Sequence, residues 1–249
     1  MGGGYYAVPD IKDQSKNLET VRAQRIDGNG NPLWGNDGVH IADDNKEFRA
    51  ISDDGRNLYV VHENINTKKI HAQKLDSNAT KQWNAAGGCN IPGLTGGMNI
   101  ASDGLGGLFI ESEIIEPNTF HSPHITRIDL NGDYTTGSSV MPVPLAGSSL
   151  VFPQTLLASF GKGKALLVWL NMGDSTMAQC FDSSLNPMWN GGKPVFIGTS
   201  LTPHALVQTG SHEMVVVCNY HNGADNDIAA YQLKSNGTMG WNPARKEVC

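Results

Sequence analysis

The sequence has no surplus of basic residues. Its 18 lysines and arginines stand against 24 aspartates and glutamates, and the formal net charge is −6. Nucleic acids and anionic lipid surfaces attract proteins through clustered positive charge. The charge balance therefore argues against nucleic acid and against a membrane surface as partners.

Long hydrophobic runs are also missing. A transmembrane helix needs roughly 18 to 20 apolar residues in succession, whereas the longest runs are ALLVWL at 165–170 and MVVVC at 214–218. Runs of this length suit buried strands, so we expect no membrane insertion. The opening MGGGYYAVPD has neither a basic leader nor an apolar segment, and we expect any secretion signal to have been removed or never to have been present.

Motifs for metal, cofactor and nucleophilic chemistry are absent as well. The cysteines are spread singly without a CxxC pair, and there is no GxSxG elbow or glycine-rich phosphate loop. We therefore expect no metal centre, no cofactor and no catalytic residues. Buried, inert thiols are favoured over disulfides for the four cysteines, which are Cys89, Cys180, Cys218 and Cys249.

Glycine is abundant, and the sequence repeats itself. There are 29 glycines and only 17% charged residues, which favours turn-rich β structure. The segment VRAQRIDGNGNPLW at 21–34 returns as IHAQKLDSNATKQW at 70–83 and TMAQCFDSSLNPMW at 176–189, with divergent copies at 123–136 and 228–241. The chain therefore contains five units of about 52 residues, whose turn positions are Asp27, Asp76, Asp129, Asp182 and Lys234.

Each unit is predicted to contain four strands, which we name a to d. In the second unit strand a covers 48–53, b 57–63, c 69–76 and d 88–92, and strands a and b form a hairpin. Four-stranded units at this spacing are typical of an all-β β-propeller, whose blades bury one another's faces. The first blade lacks one strand, because GGGYYAVPD matches strand b with no strand a before it.

We predict a single propeller domain over 1–249, with five blades at 1–43, 44–93, 94–144, 145–198 and 199–249. An open solenoid or a piece of a larger propeller is the alternative. Closing a ring normally requires every blade edge to be paired. The missing strand therefore predicts either a three-stranded first blade or a longer parent chain.

The pattern AQR-hydrophobic-Asp, followed by Gly and Trp and then an SDGxGG hairpin, resembles the propeller repeats of large secreted or surface proteins of Bacteroidetes-type bacteria. The resemblance covers the whole chain and implies a non-catalytic module of an extracellular or cell-surface multidomain protein. No functional residue transfers with it. The third unit departs from the pattern, and so does the fifth, where Tyr231 and Lys234 replace the glutamine and the aspartate.

The most regular side chains are predicted to be structural. DGNGN at 27–31 only superficially resembles a calcium loop, because Pro32 stands where the loop needs glycine and Gly38 where it needs glutamate. A turn capped by Asp and Asn is favoured. Packing between neighbouring blades is favoured over sugar stacking for the recurring tryptophans, Trp34, Trp83, Trp189 and Trp241, which Thr136 replaces in the third unit.

Carboxylates decide between binding and glycan hydrolysis, because glycosidases place two acids about 5 to 10 Å apart. The copies of strand a, centred on FRAIS, MNIAS, TLLAS and HALVQ, contain no acid, which argues against a hydrolase. Asp10, Glu63 and Glu113 recur at the end of strand b. Capping of the b–c turn is favoured for them over catalysis.

Histidines gather on the face of the disc that carries the b–c and d–a connections. We predict a polar, pH-sensitive ligand-binding face there, because imidazole changes charge near neutrality. His62 and His71 flank one hairpin and could form a cross-strand pair able to share a metal, although a dedicated metal site is not favoured. The face comprises Asp10, His62, Glu63, His71, Glu113, Phe120, His121, His124, His204 and His221.

The loop at 114–124, IIEPNTFHSPH, is the longest on this face and is predicted to be the main contact element, since loops on a rigid scaffold carry recognition residues. A drifting insertion without a role is the alternative. The function predicted from the sequence is binding or scaffolding of a protein or glycan ligand. A glycan-processing enzyme on the same fold is the alternative, because propellers host both.

Overall fold

The computed structural model describes residues 3–13, 18–53, 56–64, 66–67, 69–83, 88–91, 98–115, 121–139, 154–171, 175–210, 213–221, 225–241 and 244–247. These residues form strands and turns, and their only helical segment is one 3-10 turn at Asn190–Gly192. Among them no helix is long and apolar enough to cross a membrane. The all-β prediction is confirmed.

The described residues form eighteen strands in chain order. They are β1 Gly3–Asp13, β2 Leu18–Asp27, β3 Val39–Asp53, β4 Asn57–Asn64, β5 Lys69–Leu75, β6 Cys89–Ile91, β7 Met98–Ser102, β8 Leu108–Ile115, β9 His121–Ile128, β10 Tyr134–Ser139, β11 Thr155–Ser159, β12 Ala165–Asn171, β13 Ser175–Phe181, β14 Val195–Thr199, β15 Leu201–Gln208, β16 Glu213–His221, β17 Asn226–Lys234 and β18 Arg245–Glu247. β1 to β6 form one six-stranded sheet, and β7–β10, β11–β14 and β15–β18 form three four-stranded sheets.

The six-stranded sheet contains the first two units, which share β3. Its first part pairs with β2 and its second part with β4, and both pairings shift register near Asn45. The segment IADDNKEF has no glycine or proline to end the strand there, so strands d and a run on as one. The first unit therefore has three strands, as predicted, and residues 3–13 form a single strand paired with β2.

Consecutive units pack through alternate side chains of their strands, which point to opposite faces. In β12, Leu166 and Val168 belong to the cluster shared with the fifth unit, whereas Leu167 and Trp169 belong to the cluster shared with the third. Each of the four junctions has a cluster of this kind. The inner strands β3, β7, β11 and β15 contact one another in succession.

The connection from strand c to strand d is the turn predicted from DGNGN. Asp27 Oδ1 accepts the backbone N–H groups of Asn29 at 2.8 Å and Asn31 at 2.9 Å, and Gly30 has φ +86°. Hydrogen bonds from Asn31 hold the pKa of the Asp27 carboxyl below its usual value. The same two backbone bonds recur at Asp76, Asp129 and Asp182.

The tryptophans connect each unit to the next. Gln73 Oε1 accepts the backbone N–H of Trp83 at 3.1 Å, and Trp83 Nε1 donates to the Leu130 carbonyl at 3.2 Å in the turn of the next unit. Equivalent indole bonds run from Trp34 to Ser77 and from Trp189 to Ser235. Trp83 and Trp189 are buried, and Trp34 and Trp241 are half-buried. The predicted packing between neighbouring blades is confirmed for Trp34, Trp83 and Trp189, whereas Trp241 belongs to none of the apolar clusters of the described residues.

The thiols of Cys89, Cys180 and Cys218 are free and buried, as predicted. Burial raises the pKa of Cys89 to about 11 and those of Cys180 and Cys218 to about 12. A thiol with so high a pKa is hardly ionised at neutral pH and is a poor nucleophile. Cys249 lies outside the described residues.

Candidate functional site

Two kinds of connection, from strand b to c and from strand d to a, share one face of the molecule because each sheet is an antiparallel meander. We call it the loop face: it carries the connections β4–β5, β8–β9, β12–β13 and β16–β17, together with those that lead into β7, β11 and β15. The histidines of the predicted ligand-binding face lie in the strand halves that adjoin the loop face. The structure separates those buried between units from those that are exposed.

His62 and His71 form the predicted cross-strand pair. They lie opposite each other in β4 and β5, and their rings are stacked with centroids 5.2 Å apart and planes 10° apart. Burial, with smaller contributions from His71 and Lys81, lowers the pKa of His62 to about 3. Burial and Lys69 also lower the pKa of His71. The expected change of charge near neutrality is wrong for His62, because desolvation disfavours the imidazolium form.

The pair does not form a metal centre with other side chains in the part of the chain that the structure describes. No group of three or more His, Cys, Asp or Glu side chains is placed there to hold an ion. Parallel stacked rings turn their faces to each other, whereas the nitrogen lone pairs lie in the ring planes. The geometry therefore favours packing over shared ligation.

The other histidines are dispersed over the units. His124 lies opposite Ser112 in β9, at the position that His71 has in β5, and it is half-buried. His204 is exposed at the register shift between Pro203 and Ala205 in β15. His121 and His221 lie in β9 and β16, opposite Ile115 and Asn226, but their side chains and those of Asp10 and Glu113 are outside the described part, as is all of Phe120.

The acids at the end of strand b are not all equivalent. Asp10 lies opposite Thr20 as Asn64 lies opposite Lys69, so Asp10 matches Asn64 and is one residue out of step with Glu63. Asn64 Oδ1 accepts the N–H groups of Asn66 at 3.0 Å and Thr67 at 2.9 Å. Glu63 is buried, with 2% exposure, because its position faces the next unit. Asn64 thus caps the described part of the b–c turn, and capping by Glu63 stays a prediction.

The inner strands place four equivalent positions at one level near the loop face. Arg49 pairs with Val61, Asn99 with Glu111, Leu156 with Val168 and Ala205 with Val217, and the register makes these four pairs equivalent. Arg49 and His204, beside Ala205, are exposed, and Asn99 is half-buried. This level, which we call the inner ring, therefore presents a guanidinium and an amide, and the His204 imidazole lies beside it at the register shift of β15.

A buried carboxylate supports the inner ring. Glu111 is 1% exposed, and its Oε2 accepts hydrogen bonds from Asn99 Nδ2 at 2.8 Å and Thr155 Oγ1 at 2.9 Å. Asn99 Nδ2 also donates to Thr155 Oγ1 at 3.0 Å, so one network joins the third and fourth units. The carboxylate fixes the orientation of the Asn99 amide at the surface of the ring.

Sequence reasoning missed Arg49, Asn99, Glu111 and Thr155. A signal was present in strand b, where Glu111 interrupts an apolar position that Val61, Val168 and Val217 occupy in other units. An acid in the core of a repeat costs free energy unless it is hydrogen-bonded. Aligning the strands by register would have identified it as exceptional, and its cross-strand neighbour Asn99 with it.

Solved structures of similar shape are known for several proteins. The Aleuria aurantia lectin is 12% identical, with 99% of this chain and 78% of the lectin covered at a TM-score of 0.51. The periplasmic gluconolactonase of Pseudomonas aeruginosa is 10% identical, with coverage of 98% and 66% and a TM-score of 0.51. Prolyl oligopeptidase B from Galerina marginata is 11% identical, with a TM-score of 0.53, and the chain spans 31% of its length.

The chain has a β-propeller fold. The structural likeness shows the fold alone, because the identities are low. No protein-family model matches the chain. No curated protein sequence matches it.

Proposed function

We propose that the protein is a non-catalytic binding module that recognises a glycan through the loop face and the inner ring. The observation that carries the proposal is the polar chemistry at and beside the ring: the exposed Arg49 and His204 side chains offer hydrogen-bond donors, and the half-buried Asn99 amide is held at the level of Arg49. Sugar hydroxyl groups both donate and accept, so a cluster of fixed polar groups on a rigid scaffold is suited to them.

The same level argues against glycan hydrolysis. The inner strands contribute Arg49, Asn99, Leu156 and Ala205 there, and none is an acid. Glu111 is held by Asn99 and Thr155, and glycosidases need a second carboxyl group across the bond that they cleave. One of the structural neighbours is the Aleuria aurantia lectin, which agrees with binding.

The sequence resemblance extends the proposal to an extracellular or cell-surface position within a larger chain. The contact element predicted at 114–124 adds Phe120, His121 and His124, although residues 114–115 and 121–124 belong to the paired strands β8 and β9 and not to a loop. A single domain over 1–249 is part of the same proposal.

The test measures binding to a glycan array and then the affinity for the best glycan by calorimetry. Arg49→Ala and His204→Ala should each weaken binding about tenfold or more, because each removes donors from the ring. Both side chains are exposed, so folding should be unchanged. Leu130→Ser is the matched control, since Leu130 is 58% exposed on the opposite face.

Two outcomes would contradict the proposal. Retention of full affinity in the Arg49→Ala and His204→Ala variants would remove the inner ring from recognition. Release of reducing sugar from the bound glycan, abolished by Glu111→Gln, would replace binding by catalysis. A variant with alanine at 120 and 121 separates this segment from the ring, because it should weaken binding while Arg49 and His204 are intact. His124 is left in place because it is half-buried in β9.

A further inference from the structure

The first and fifth units expose positions that the other units bury. Each unit has a back face towards the preceding unit and a forward face towards the next. In the first unit Tyr6 lies on the back face, opposite Gln24 of strand c, and is 41% exposed. The residue at the same position is fully buried in the other four units, where it is Val60, Ile110, Leu167 and Val216.

The forward face shows the converse. Ile228 in β17 is 37% exposed. The residues at the same place in strand c of the first, second and fourth units are completely buried against the next unit: Val21, Ile70 and Thr176. Val217, on the same face as Ile228, and Trp241 are half-buried, whereas Val168 and Trp189 at the matching positions of the fourth unit are buried.

The tryptophan contact shows how such faces fit together. A Cβ atom built on Gly132 would lie 2.9 Å from the Trp83 ring, and one on Gly237 would lie 2.8 Å from the Trp189 ring. Each of these glycines is thus the seat for the tryptophan of the preceding unit. Gly30, at the same place in the turn of the first unit, has nothing within 4 Å of such an atom. The first unit therefore has a seat without a tryptophan.

The chain does not bring these two faces together within the described residues. The apolar cluster of the first unit contains residues of the first two units, and that of the fifth contains residues of the fourth and fifth. Among the residues that the structure describes, no apolar cluster joins the first unit to the fifth. Both faces carry exposed apolar side chains of the kind that the four internal junctions bury.

We propose that the forward face of the fifth unit binds the back face of the first unit of a second copy of this chain, head to tail. The contact continues the geometry of the internal junctions: Trp241 enters the turn at Gly30, its Nε1 donates to the Gly28 carbonyl, and Ile228 packs on the side that carries Tyr6. Such an interface is heterologous, so repetition produces a ring or a filament. Its driving force is burial of apolar surface.

Disulfide capture tests the contact directly. In the internal junctions the Cβ atom built on Gly132 or Gly237 lies 3.2 or 3.1 Å from the tryptophan Cβ, close to the Cβ separation of a disulfide. In a Cys249→Ser background, Gly30→Cys and Trp241→Cys chains are mixed and oxidised mildly. A covalent heterodimer is expected. Gly161→Cys with Trp241→Cys is the matched control, because Gly161 also has positive φ and open space but lies in a different turn.

A doubly substituted chain distinguishes the alternative closure. If Gly30→Cys and Trp241→Cys in one chain give a cross-linked monomer while the mixed single variants give no dimer, the two faces meet within one molecule and the proposal is wrong. Circular dichroism checks the Gly30→Cys variant, since cysteine at φ +86° is strained. Asn29→Cys replaces it if folding fails.

Sedimentation of the unmodified chain supplies an independent measurement. The mass should rise with concentration, and Tyr6→Lys should weaken association at least tenfold without loss of fold. Leu130→Lys is the control, because that side chain is exposed but lies in the third unit. A chain that stays monomeric up to about 100 µM, or a Tyr6→Lys variant that associates normally, would overturn the proposal. Glycan binding does not enter either readout.

Discussion

The junction between the third and fourth units is built without the tryptophan that the neighbouring junctions use. Between the fourth and fifth units, Trp189 Nε1 donates to the Ser235 carbonyl at 2.8 Å, and the indole packs on Gly237. The third unit has Thr136 at the tryptophan position. There Arg127 Nη1 donates to the Ser183 carbonyl at 3.4 Å, which is the acceptor equivalent to that of Ser235.

The turn position that receives the tryptophan has changed together with the tryptophan itself. Leu185 stands where Gly132 and Gly237 stand in the other turns, and it is 8% exposed within the cluster of the third junction. Its φ of +64° is unfavourable for a side chain with a Cβ atom. The strain is compensated because the leucine fills volume that the absent indole would leave empty. The loss of the tryptophan at 136 and the leucine at 185 are thus matched changes on the two sides of one junction.

The arginine of this junction has a second role. Arg127 donates from Nε at 3.0 Å and from Nη2 at 2.6 Å to Asp103 Oδ2. Asp103 is fully buried, and its Oδ1 also accepts the N–H groups of Leu105 and Gly107 at 2.7 Å. One charged pair therefore stabilises both the a–b turn of the third unit and its contact with the fourth.

Asp103→Ala should have the largest effect on this comparison. The substitution leaves the Arg127 guanidinium without its partner and two backbone donors without an acceptor, and breaking a buried ion pair costs about 3–5 kcal/mol. Urea unfolding at neutral pH measures the loss in the free energy of unfolding. We expect a cooperative transition at a markedly lower midpoint.

Two further variants control that measurement. Glu247→Ala removes the exposed ion pair with Arg245 and should cost about 1 kcal/mol or less. Asp103→Ala combined with Arg127→Met removes both charges and should recover part of the loss. An Asp103→Ala protein as stable as the Glu247→Ala protein would show that the pair does not hold the third junction.

Replacing the tryptophan and the turn glycine of one junction by the residues of another should have the next largest effect on stability. Trp189→Thr and Gly237→Leu together install the third junction's residue types between the fourth and fifth units. Each single change should destabilise, the first by leaving a cavity and the second by forcing a side chain into the indole and into positive φ. The double variant should be more stable than the sum predicts, with a coupling of roughly 1–3 kcal/mol in unfolding experiments.

If the free-energy losses of Trp189→Thr and Gly237→Leu simply add in the double variant, the two positions act independently. Leu185→Gly in the natural third junction provides the reverse control, because it relieves strain but opens a cavity where no indole is present. It should therefore destabilise, whereas glycine at 237 is required.

The repeat made the strands, the turns and the tryptophan contacts predictable, because period, Asp-capped turns and buried aromatics are all local signals. The exchange at the third junction was not predictable. Thr136 and Leu185 lie about 50 residues apart, and neither reveals its partner without the pairing of strands. Burial of His62 was missed for a similar reason: nearness to a turn indicates a face, but exposure depends on what the neighbouring unit places against it.

The first junction contains a titratable pair where a later unit has an apolar one. His62 lies opposite His71 at the strand positions where Trp169 lies opposite Met177 in the fourth unit. The pKa of His62 is lowered to about 3 by burial, so between pH 6.5 and 3 the unfolded chain binds more protons than the folded one. Stability is therefore complete above pH 6.5 and is lost as the pH falls.

The expected loss from this residue between pH 6.5 and pH 5 is about 1–2 kcal/mol, and urea unfolding across that range measures it. His62→Val should flatten the profile, while His71 retains a smaller slope of the same sign because its pKa is also lowered. His204→Val is the control for loss of an imidazole from an exposed position. A profile that His62→Val does not alter would mean that the imidazole is protonated in the folded protein, and the layer between the first two units would then have to be hydrated.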